Sequence, residues 1–264
     1  MSIDNITNHR HYLNLKRYRY LLYEIIKKNI KLKYRRSNLG IFWTFFNPLL
    51  FTIVLTLVFS NLYSRSIENF ALYVVIGKLI FDLFASSVRS GLLSFGSAGE
   101  IKKIYIPKYI YPLAGSLSAF VTFWISMLVL VLMVIVTGVT LRWFALFAIV
   151  PILLLFALAF GVGLTLSVIN VFFRDMQQIW GVITQILMWT SAIFYPARII
   201  PAKYQFILTY NPVFIAIDSC RNSIMYNQPT NPMSLLYIAV LAVIFIILGI
   251  ILLYKYQDKF ILHL

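Results

Sequence analysis

The sequence predicts an all-α membrane protein built as a single domain with six transmembrane helices. Hydrophobic residues make up 61% of the 264 residues, charged residues only 12%, and the mean hydropathy is +0.86. Such a chain cannot cover a water-facing surface of ordinary composition. Apolar stretches of about 20 residues, the length that crosses a hydrocarbon core, recur along it. The net charge of +15 is concentrated at one end and between these stretches, which is typical of membrane topology rather than of nucleic-acid binding.

Six segments are candidates for the transmembrane helices. The first contains Pro48, which such helices tolerate. The second contains charged residues, which are costly in lipid, but Lys78 and Asp82 lie four residues apart and can neutralise each other. Residues 1–40 are expected to be cytoplasmic or interfacial. Within the domain 1–264, the predicted spans cover residues 41–63, 70–95, 109–136, 143–173, 176–195 and 233–254.

The distribution of lysine and arginine near the span ends predicts that both termini are cytoplasmic. With the N-terminus inside, ten basic residues between Arg10 and Arg36 lie in the cytoplasm. The inner side also contains Lys102, Lys103, Lys108, Arg174, Lys255 and Lys259. The outer side contains only Arg65, Arg142, Arg198, Lys203 and Arg221.

Two segments outside the spans have helical character. From residue 15 to 33, apolar residues such as Leu22 and Ile25 share one side of a helix and basic residues the other. This pattern predicts an N-terminal amphipathic helix lying in the membrane interface. The outer segment 196–232 contains five prolines and an apolar run too short to cross. It is predicted to form short extracytoplasmic helices that are re-entrant or lie on the surface.

The sequence contains no pattern that supports catalysis by this chain. It has no G-x-x-x-x-G-K-[ST] phosphate loop, since the nearest stretch, from Gly96, lacks both the spacing and the hydroxyl. The three histidines lie near the termini without partners at metal-ligand spacing, and the single cysteine, Cys220, excludes an internal disulfide. We therefore expect a chain that is not an enzyme and holds no cofactor or metal of its own.

Four stretches, in order along nearly the whole chain, are more specific. They are Arg35-Arg-Ser-Asn-Leu-Gly-Ile-Phe-Trp-Thr-Phe-Phe-Asn-Pro48; Glu100-Ile-Lys-Lys-Ile-Tyr-Ile-Pro107 followed by Pro112; Asn170-Val-Phe-Phe-Arg-Asp175; and Phe194-Tyr-Pro196 leading to Asn211-Pro212 and Arg221. Together they resemble the polysaccharide and teichoic-acid export permeases of the ABC-2 transporter class. The second span departs from that family, where it is commonly Trp-rich and uncharged. Lys78 and Asp82 could therefore line a channel or pair structurally.

The resemblance implies a bacterial inner-membrane homodimer whose subunits each contact a separate nucleotide-binding subunit, which binds ATP and Mg. It also implies export of an undecaprenyl-diphosphate-linked polysaccharide through a channel between the subunits, with O antigen the first candidate. Capsule, teichoic acid, or small lipids and drugs are alternative cargoes. A membrane enzyme of glycolipid assembly is a remote alternative, because the acidic residues are scattered and form no cluster. A structural scaffold is a third rival, but it would not explain the interfacial helix beside a basic inner loop.

Two groups of residues are candidates for contact with the nucleotide-binding subunit. The segment 100–107 lies between the second and third spans, where the family has a cytoplasmic coupling helix, and it contains Glu100, Lys102, Lys103 and Tyr105. Its alternative is a passive loop whose lysines only set the topology. Arg174 and Asp175 follow the fourth span directly and could pair with the interfacial helix or the ATPase, or simply mark the end of the span.

Two further groups are candidates for contact with the exported molecule. Arg35 and Arg36 precede the first span at the depth of a lipid diphosphate, which guanidinium groups bind well, although ordinary anionic lipids would attract them too. Sugar rings stack on aromatic side chains, so aromatic residues near the ends of two spans are candidates for the channel lining. These residues could instead belong to the aromatic belt of the membrane interface. They are Phe42, Trp43, Phe45, Phe46, Trp189 and Tyr195.

Overall fold

The computed structural model describes residues 3–63, 67–96 and 107–256, with side chains from Tyr18 onward. Within these ranges the chain is helical and contains no strand. The helices are α1 (Ile3–Tyr34), α2 (Trp43–Tyr63), α3 (Phe70–Leu92), α4 (Ile110–Thr137), α5 (Ile149–Phe172), α6 (Met176–Thr190), α7 (Phe206–Thr209), α8 (Pro212–Ile224) and α9 (Pro232–Tyr256). Short 3-10 turns precede α2 and α5, at Gly40–Phe42 and Trp143–Ala148.

Five helices in the described ranges are long and apolar enough to cross a membrane. They are Gly40–Tyr63, Phe70–Leu92, Ile110–Thr137, Trp143–Phe172 and Pro232–Tyr256. Each corresponds to a predicted span, and the ends differ by three residues at most. The span predicted over 176–195 is helical only as α6, whose 15 residues extend about 22 Å. This is shorter than a hydrocarbon core of about 30 Å.

Helix α3 is the centre of the bundle. In the most apolar 18-residue stretch of α3, 72% of the residues are buried, against 11% for α2 and 17% for α9. Helix α3 approaches α4 closely because residue 115 of α4 is a glycine. A Cβ atom at Gly115 would lie only 2.5 Å from the carbonyl oxygen of Ser90 on α3. Helices α5 and α9 meet in the same way at Gly161, where a Cβ would lie 2.8 Å from the backbone nitrogen of Ile246. Small residues at such contacts let membrane helices pack closely without a hydrophobic driving force.

Helix α1 packs against α4 and the start of α2. Asn29 Nδ2 donates to Ser118 Oγ at 3.3 Å, and the hydroxyls of Tyr34 and Thr44 are 2.8 Å apart. The apolar residues Tyr18, Leu22, Ile25 and Ile26 are half-buried, whereas Lys27, Lys28 and Lys31 are exposed. Helix α1 therefore has a half-buried apolar side and an exposed basic side.

The chain between α6 and α9 folds back into the bundle. Helix α6 ends at Thr190, and Ala192 follows with a left-handed φ of 46°. Helix α8 packs against α3, α5 and the turn before α5, and most of its residues are buried. It therefore does not lie on the surface, which was one of the two arrangements open for this segment.

Candidate functional site

A cavity of about 460 Å³ opens among α1, α2, α3, α4 and α6. This volume falls within the range of small-molecule sites, about 300–1,000 Å³. Its wall contains charged residues of α3, a helix long and apolar enough to cross a membrane. Charges within such helices are rare unless they face a cavity or a path for solutes. The polar and aromatic lining residues are Lys33, Tyr34, Trp43, Thr44, Asn47, Lys78, Asp82, Ser86, Arg89, Thr122, Phe123, Ser126, Gln177, Trp180 and Thr184.

One face of α3 supplies a row of polar side chains to this cavity. Lys78, Asp82, Ser86 and Arg89 follow one another at intervals of four, four and three residues and all line the cavity. Residues at these intervals share one side of a helix. The sequence analysis treated the charges of the second span as energetically costly in lipid. Their helical spacing is the signal from which a shared cavity wall could have been predicted.

Lys78 and Asp82 form the ion pair that their spacing predicted. Lys78 Nζ lies 2.6 Å from Asp82 Oδ1, with 14% of the lysine side chain and 42% of the aspartate side chain exposed. The ammonium group also lies 4.6 Å from the centroid of the Phe51 ring, a favourable cation–π distance. The pair both neutralises itself and lines this cavity.

Helix α6 forms another wall of the cavity. Gln177, Trp180 and Thr184 line it, and the Trp180 ring packs near Phe84 at 6.2 Å between centroids. Trp180 is the one residue of α6 that is fully buried. Within the described part of the protein, Trp180 Nε1 and Thr184 Oγ1 are buried without a hydrogen-bond partner. Sequence reasoning did not identify these two residues.

The structure separates the aromatic candidates. Trp43 lines the cavity, whereas Phe42 and Phe46 are exposed and Phe45 is half-buried against the core. Trp189 is exposed, packs edge-on against Phe194 at 5.2 Å, and accepts a hydrogen bond at its carbonyl from the Tyr195 hydroxyl. Trp189 lies nine residues beyond Trp180 on α6, about 13 Å along the axis. Of the six candidates, only Trp43 is part of the cavity wall.

The basic candidates lie just beyond the cavity. Arg35 and Arg36 are exposed in the turn after α1. Lys33, two residues earlier, lines the cavity together with Arg89 from the last turn of α3. Lys33 was not among the predicted contact residues, because only the packing of α1 beside α4 and α2 brings it to the cavity.

The candidates for coupling to an ATPase are only partly described. Glu100, Lys102, Lys103 and Tyr105 lie outside the described residues. Arg174 and Asp175 are exposed in the connection between α5 and α6. Neither forms an ion pair with another residue that the structure describes, so both are accessible to a partner.

A buried arginine holds the segment between α6 and α9. Arg221 on α8 is 1% exposed, and its guanidinium donates to the carbonyl oxygens of Tyr73, Ala192 and Ile193 at 3.0–3.3 Å. Its Cζ atom lies 3.3 Å from the centroid of the Tyr73 ring. The sequence assigned Arg221 to the outer side as a topological charge. The structure shows in addition that a cage of carbonyls removes its side chain from solvent.

Asn211 connects the end of α6 to the start of α8. Its Oδ1 accepts from the backbone nitrogens of Val213 at 3.0 Å and Phe214 at 3.3 Å, which caps α8. Its Nδ2 donates to the carbonyl of Thr190 and to Ser191 Oγ. The hydroxyl of Tyr73, whose carbonyl binds Arg221, donates to the Tyr195 carbonyl at 3.0 Å. The stretches at 194–196, 211–212 and 221 are thus parts of one structural clamp.

Comparison with known proteins decides the family. Residues 20–225 match the ABC-2 type transporter family. The chain belongs to that family. The ABC-2 match extends from α1 through α8, so it includes both the cavity and the Arg221 clamp.

Relatives of this ABC-2 chain are named as export or transport proteins. An O-antigen export system permease protein RfbA of Klebsiella pneumoniae is 32% identical over 211 residues, covering 78% of this chain and 80% of the relative. A protein of the same name in Myxococcus xanthus is 27% identical, covering 81% and 83%. The polysialic acid transport protein KpsM of Escherichia coli is 22% identical, covering 88% and 91%. With five apolar helices in its described residues, the chain is a multi-pass ABC-2 membrane protein.

Proposed function

We propose that this chain is the permease subunit of an ATP-driven exporter that moves undecaprenyl-diphosphate-linked polysaccharide, O antigen in the first instance, across the bacterial inner membrane. The cavity carries this proposal, because polar side chains and aromatic rings share its wall inside a bundle of apolar helices. Such a surface suits a hydroxylated polymer with flat apolar ring faces. The names of the two RfbA relatives support the choice of O antigen.

In the proposed topology α6 and the turn after it make a sixth crossing, so that both termini lie in the cytoplasm. The re-entrant α7 and α8 then close the outer end of the bundle. Ten basic residues between Arg10 and Arg36 support this orientation. Helix α1, with its unlike sides, lies in the inner interface.

The proposed assembly is a homodimer with the cavity at its centre. Helices α2 and α6 flank the opening and are sparsely covered, since α2 buries only Pro48 and Thr52 and α6 only Trp180. A second copy placed against them would enclose the path. Each subunit contacts a separate ATP-binding partner through the coupling segment 100–107 and through Arg174 and Asp175.

The inner end of the cavity is the proposed entry for the lipid diphosphate. Lys33 and Arg89 line the cavity there, and Arg35 and Arg36 are exposed immediately outside it. Lysine and arginine bind phosphate oxygens through charge-assisted hydrogen bonds. Arg35 and Arg36 would attract the diphosphate headgroup, and Lys33 and Arg89 would then bind it within the cavity.

Capsular polysaccharide is the second candidate cargo. The polysialic acid transport protein KpsM and the capsule export proteins CtrC and BexB are also relatives, at 20–22% identity. Their lower identity places this candidate after O antigen. Teichoic acid and small lipids or drugs are carried as further alternatives.

Deletion of the gene in its source strain tests the proposed function. Surface polysaccharide should disappear while lipid-linked polymer accumulates inside the cell, and a plasmid copy should reverse both changes. A strain that lacks the first glycosyltransferase of the polymer is the control, because it should contain polymer in neither place. Unchanged surface polysaccharide in the deletion strain would contradict the proposal.

A further inference from the structure

One oxygen of the Lys78–Asp82 pair is free. Oδ1 of Asp82 accepts from Lys78, and no donor among the described residues reaches Oδ2. The lysine is the more buried partner and the aspartate the more exposed one. The pair therefore presents a carboxylate oxygen to the cavity, while the cation lies behind it against Phe51.

The register of α2 against α3 defines what faces this oxygen. Phe51 lies beside Lys78, and the two helices run in opposite directions because a short connection joins them. One helical turn along each helix therefore places Asn47 opposite Asp82, and a second turn places Trp43 near Ser86. Asn47 and Trp43 are both exposed and both line the cavity.

This group of residues has the chemistry of a sugar site. A carboxylate oxygen accepts hydrogen bonds from hydroxyls, and a primary amide both donates and accepts. An indole ring offers a flat apolar surface for the C–H face of a pyranose. An ion pair has no net charge, and the oxygen that it exposes repels carboxylates and phosphates. Two further cations line the same cavity: Arg89, seven residues from Asp82 and about 10 Å along α3, and Lys33, which is near enough to Asp82 to interact with its carboxylate.

We propose that Asp82, oriented by Lys78, together with Asn47 and Trp43 forms a subsite that binds an uncharged sugar unit of the exported polymer. Asp82 Oδ2 accepts from sugar hydroxyls, Asn47 donates to a ring or hydroxyl oxygen, and Trp43 stacks on the ring. Lys78 is a positioning residue that neutralises and orients the carboxylate inside the membrane. This inference rests on the proposed export function and narrows the polymer to one whose repeat contains neutral sugars.

The test measures binding of one defined probe to the permease–ATPase complex. The probe is the polysaccharide that mild acid releases from the lipid-linked precursor of the source strain, and binding is followed by tryptophan fluorescence. The exchange variant Lys78→Asp with Asp82→Lys keeps the ion pair but reverses its direction. The apolar variant Lys78→Met with Asp82→Leu removes both charges, a change that buried pairs often tolerate.

Both variants should bind the probe at least about ten-fold more weakly than wild type, because the loss of a charge-assisted hydrogen bond has effects of this size. Both variants should still co-purify with the ATPase, and the melting temperature of the complex should be unchanged. Binding by either variant within two-fold of wild type would overturn the subsite, since a purely structural pair survives exchange or apolar replacement.

Asn47→Leu keeps the inference testable if the paired variants do not fold. Asn47 is exposed, so its replacement should not affect stability, yet probe binding should weaken about ten-fold. Asn61→Leu is the matched control, because Asn61 is an exposed asparagine on the same helix outside the cavity. Equal binding by the two asparagine variants would overturn the subsite.

Composition analysis of the polymer separates this inference from the proposed function. A repeat unit that contains neutral sugars supports the subsite. A polymer with a carboxylate or phosphate on every sugar would overturn the subsite and leave export intact. If deletion of the gene leaves surface polysaccharide unchanged, the export function itself is wrong.

Discussion

Individual residues of this protein have structural roles that depend on distant backbone. Arg221 reaches the carbonyl of Tyr73, 148 positions away along the chain, and those of Ala192 and Ile193. A buried guanidinium is stable only when its donors are satisfied, and four hydrogen bonds to the three carbonyls do most of this. The charge also interacts with the Asp218 carboxylate on the same helix. The clamp therefore fixes α8 and the turn after α6 to α3.

Gly77 provides the space for this clamp. A Cβ atom at Gly77 would lie 2.6 Å from Arg221 Nη2, so Gly77→Ala should displace the guanidinium from its carbonyls. We expect the free energy of unfolding of the detergent-solubilised protein to fall by about 1–3 kcal/mol, the cost of a buried polar group left unsatisfied. The variant should therefore melt at a lower temperature. Gly181→Ala is the control, because nothing lies within 4 Å of its Cβ position. Equal melting temperatures for the two variants would show that the clamp adjusts freely.

Trp43 at the start of α2 and Trp189 near the end of α6 provide a second prediction at this scale. Trp43→Ala and Trp189→Ala should each reduce polymer export while insertion is unaffected, because both side chains are exposed and available for stacking. Only Trp43→Ala should also weaken binding of the released polysaccharide, since Trp189 lies outside the cavity. Surface polysaccharide and membrane levels are measured together. Normal export by both variants would assign these residues to the interfacial aromatic belt.

At the scale of the element, the long helices were predictable and the irregular segments were not. Long apolar runs mark the ends of five spans closely because lipid contact requires apolar side chains along most of their length. The span over 176–195 was predicted too long because apolar composition continues through the turn at Ala192. Similarly, α8 combines polar and apolar residues, and only its packing against α3 and α5 shows that it is buried.

The candidate cavity was predictable only in part, because part of its wall depends on packing between helices that are distant in sequence. The spacing of Lys78 and Asp82 on one helix predicts their ion pair, which the structure confirms. Lys33 and Trp180 reach the cavity through contacts between helices distant in sequence. Nothing in the local sequence distinguishes them from their neighbours.

The segment 100–107 is the element proposed to transmit ATP-driven motion. Single charges at the rim of an interface contribute about 0–1 kcal/mol, so one change should have a mild effect. The combined variant Glu100→Lys, Lys102→Glu and Lys103→Glu should insert and dimerise but export no polymer, with ATPase activity in the complex uncoupled or lost.

Topology must be measured first for this variant, because it moves positive charge out of an inner loop. Co-purification with the ATPase, hydrolysis and export are then measured in one preparation. Wild-type values for all three, with correct topology, would show that the segment is a passive connector.

At the scale of the whole molecule, we propose that the polar cavity beside the exposed α2 and α6 becomes an export path when two copies and an ATP-binding partner assemble. The most direct measurement uses proteoliposomes that contain the permease–ATPase complex and lipid-linked polysaccharide on the side where ATP is added. A membrane-impermeant glycosidase on the opposite side reports polymer that has crossed. We predict cleavage that requires ATP and both subunits and that is lost with the Lys78–Asp82 exchange. Cleavage without ATP, or none with the complete complex, would contradict the claim.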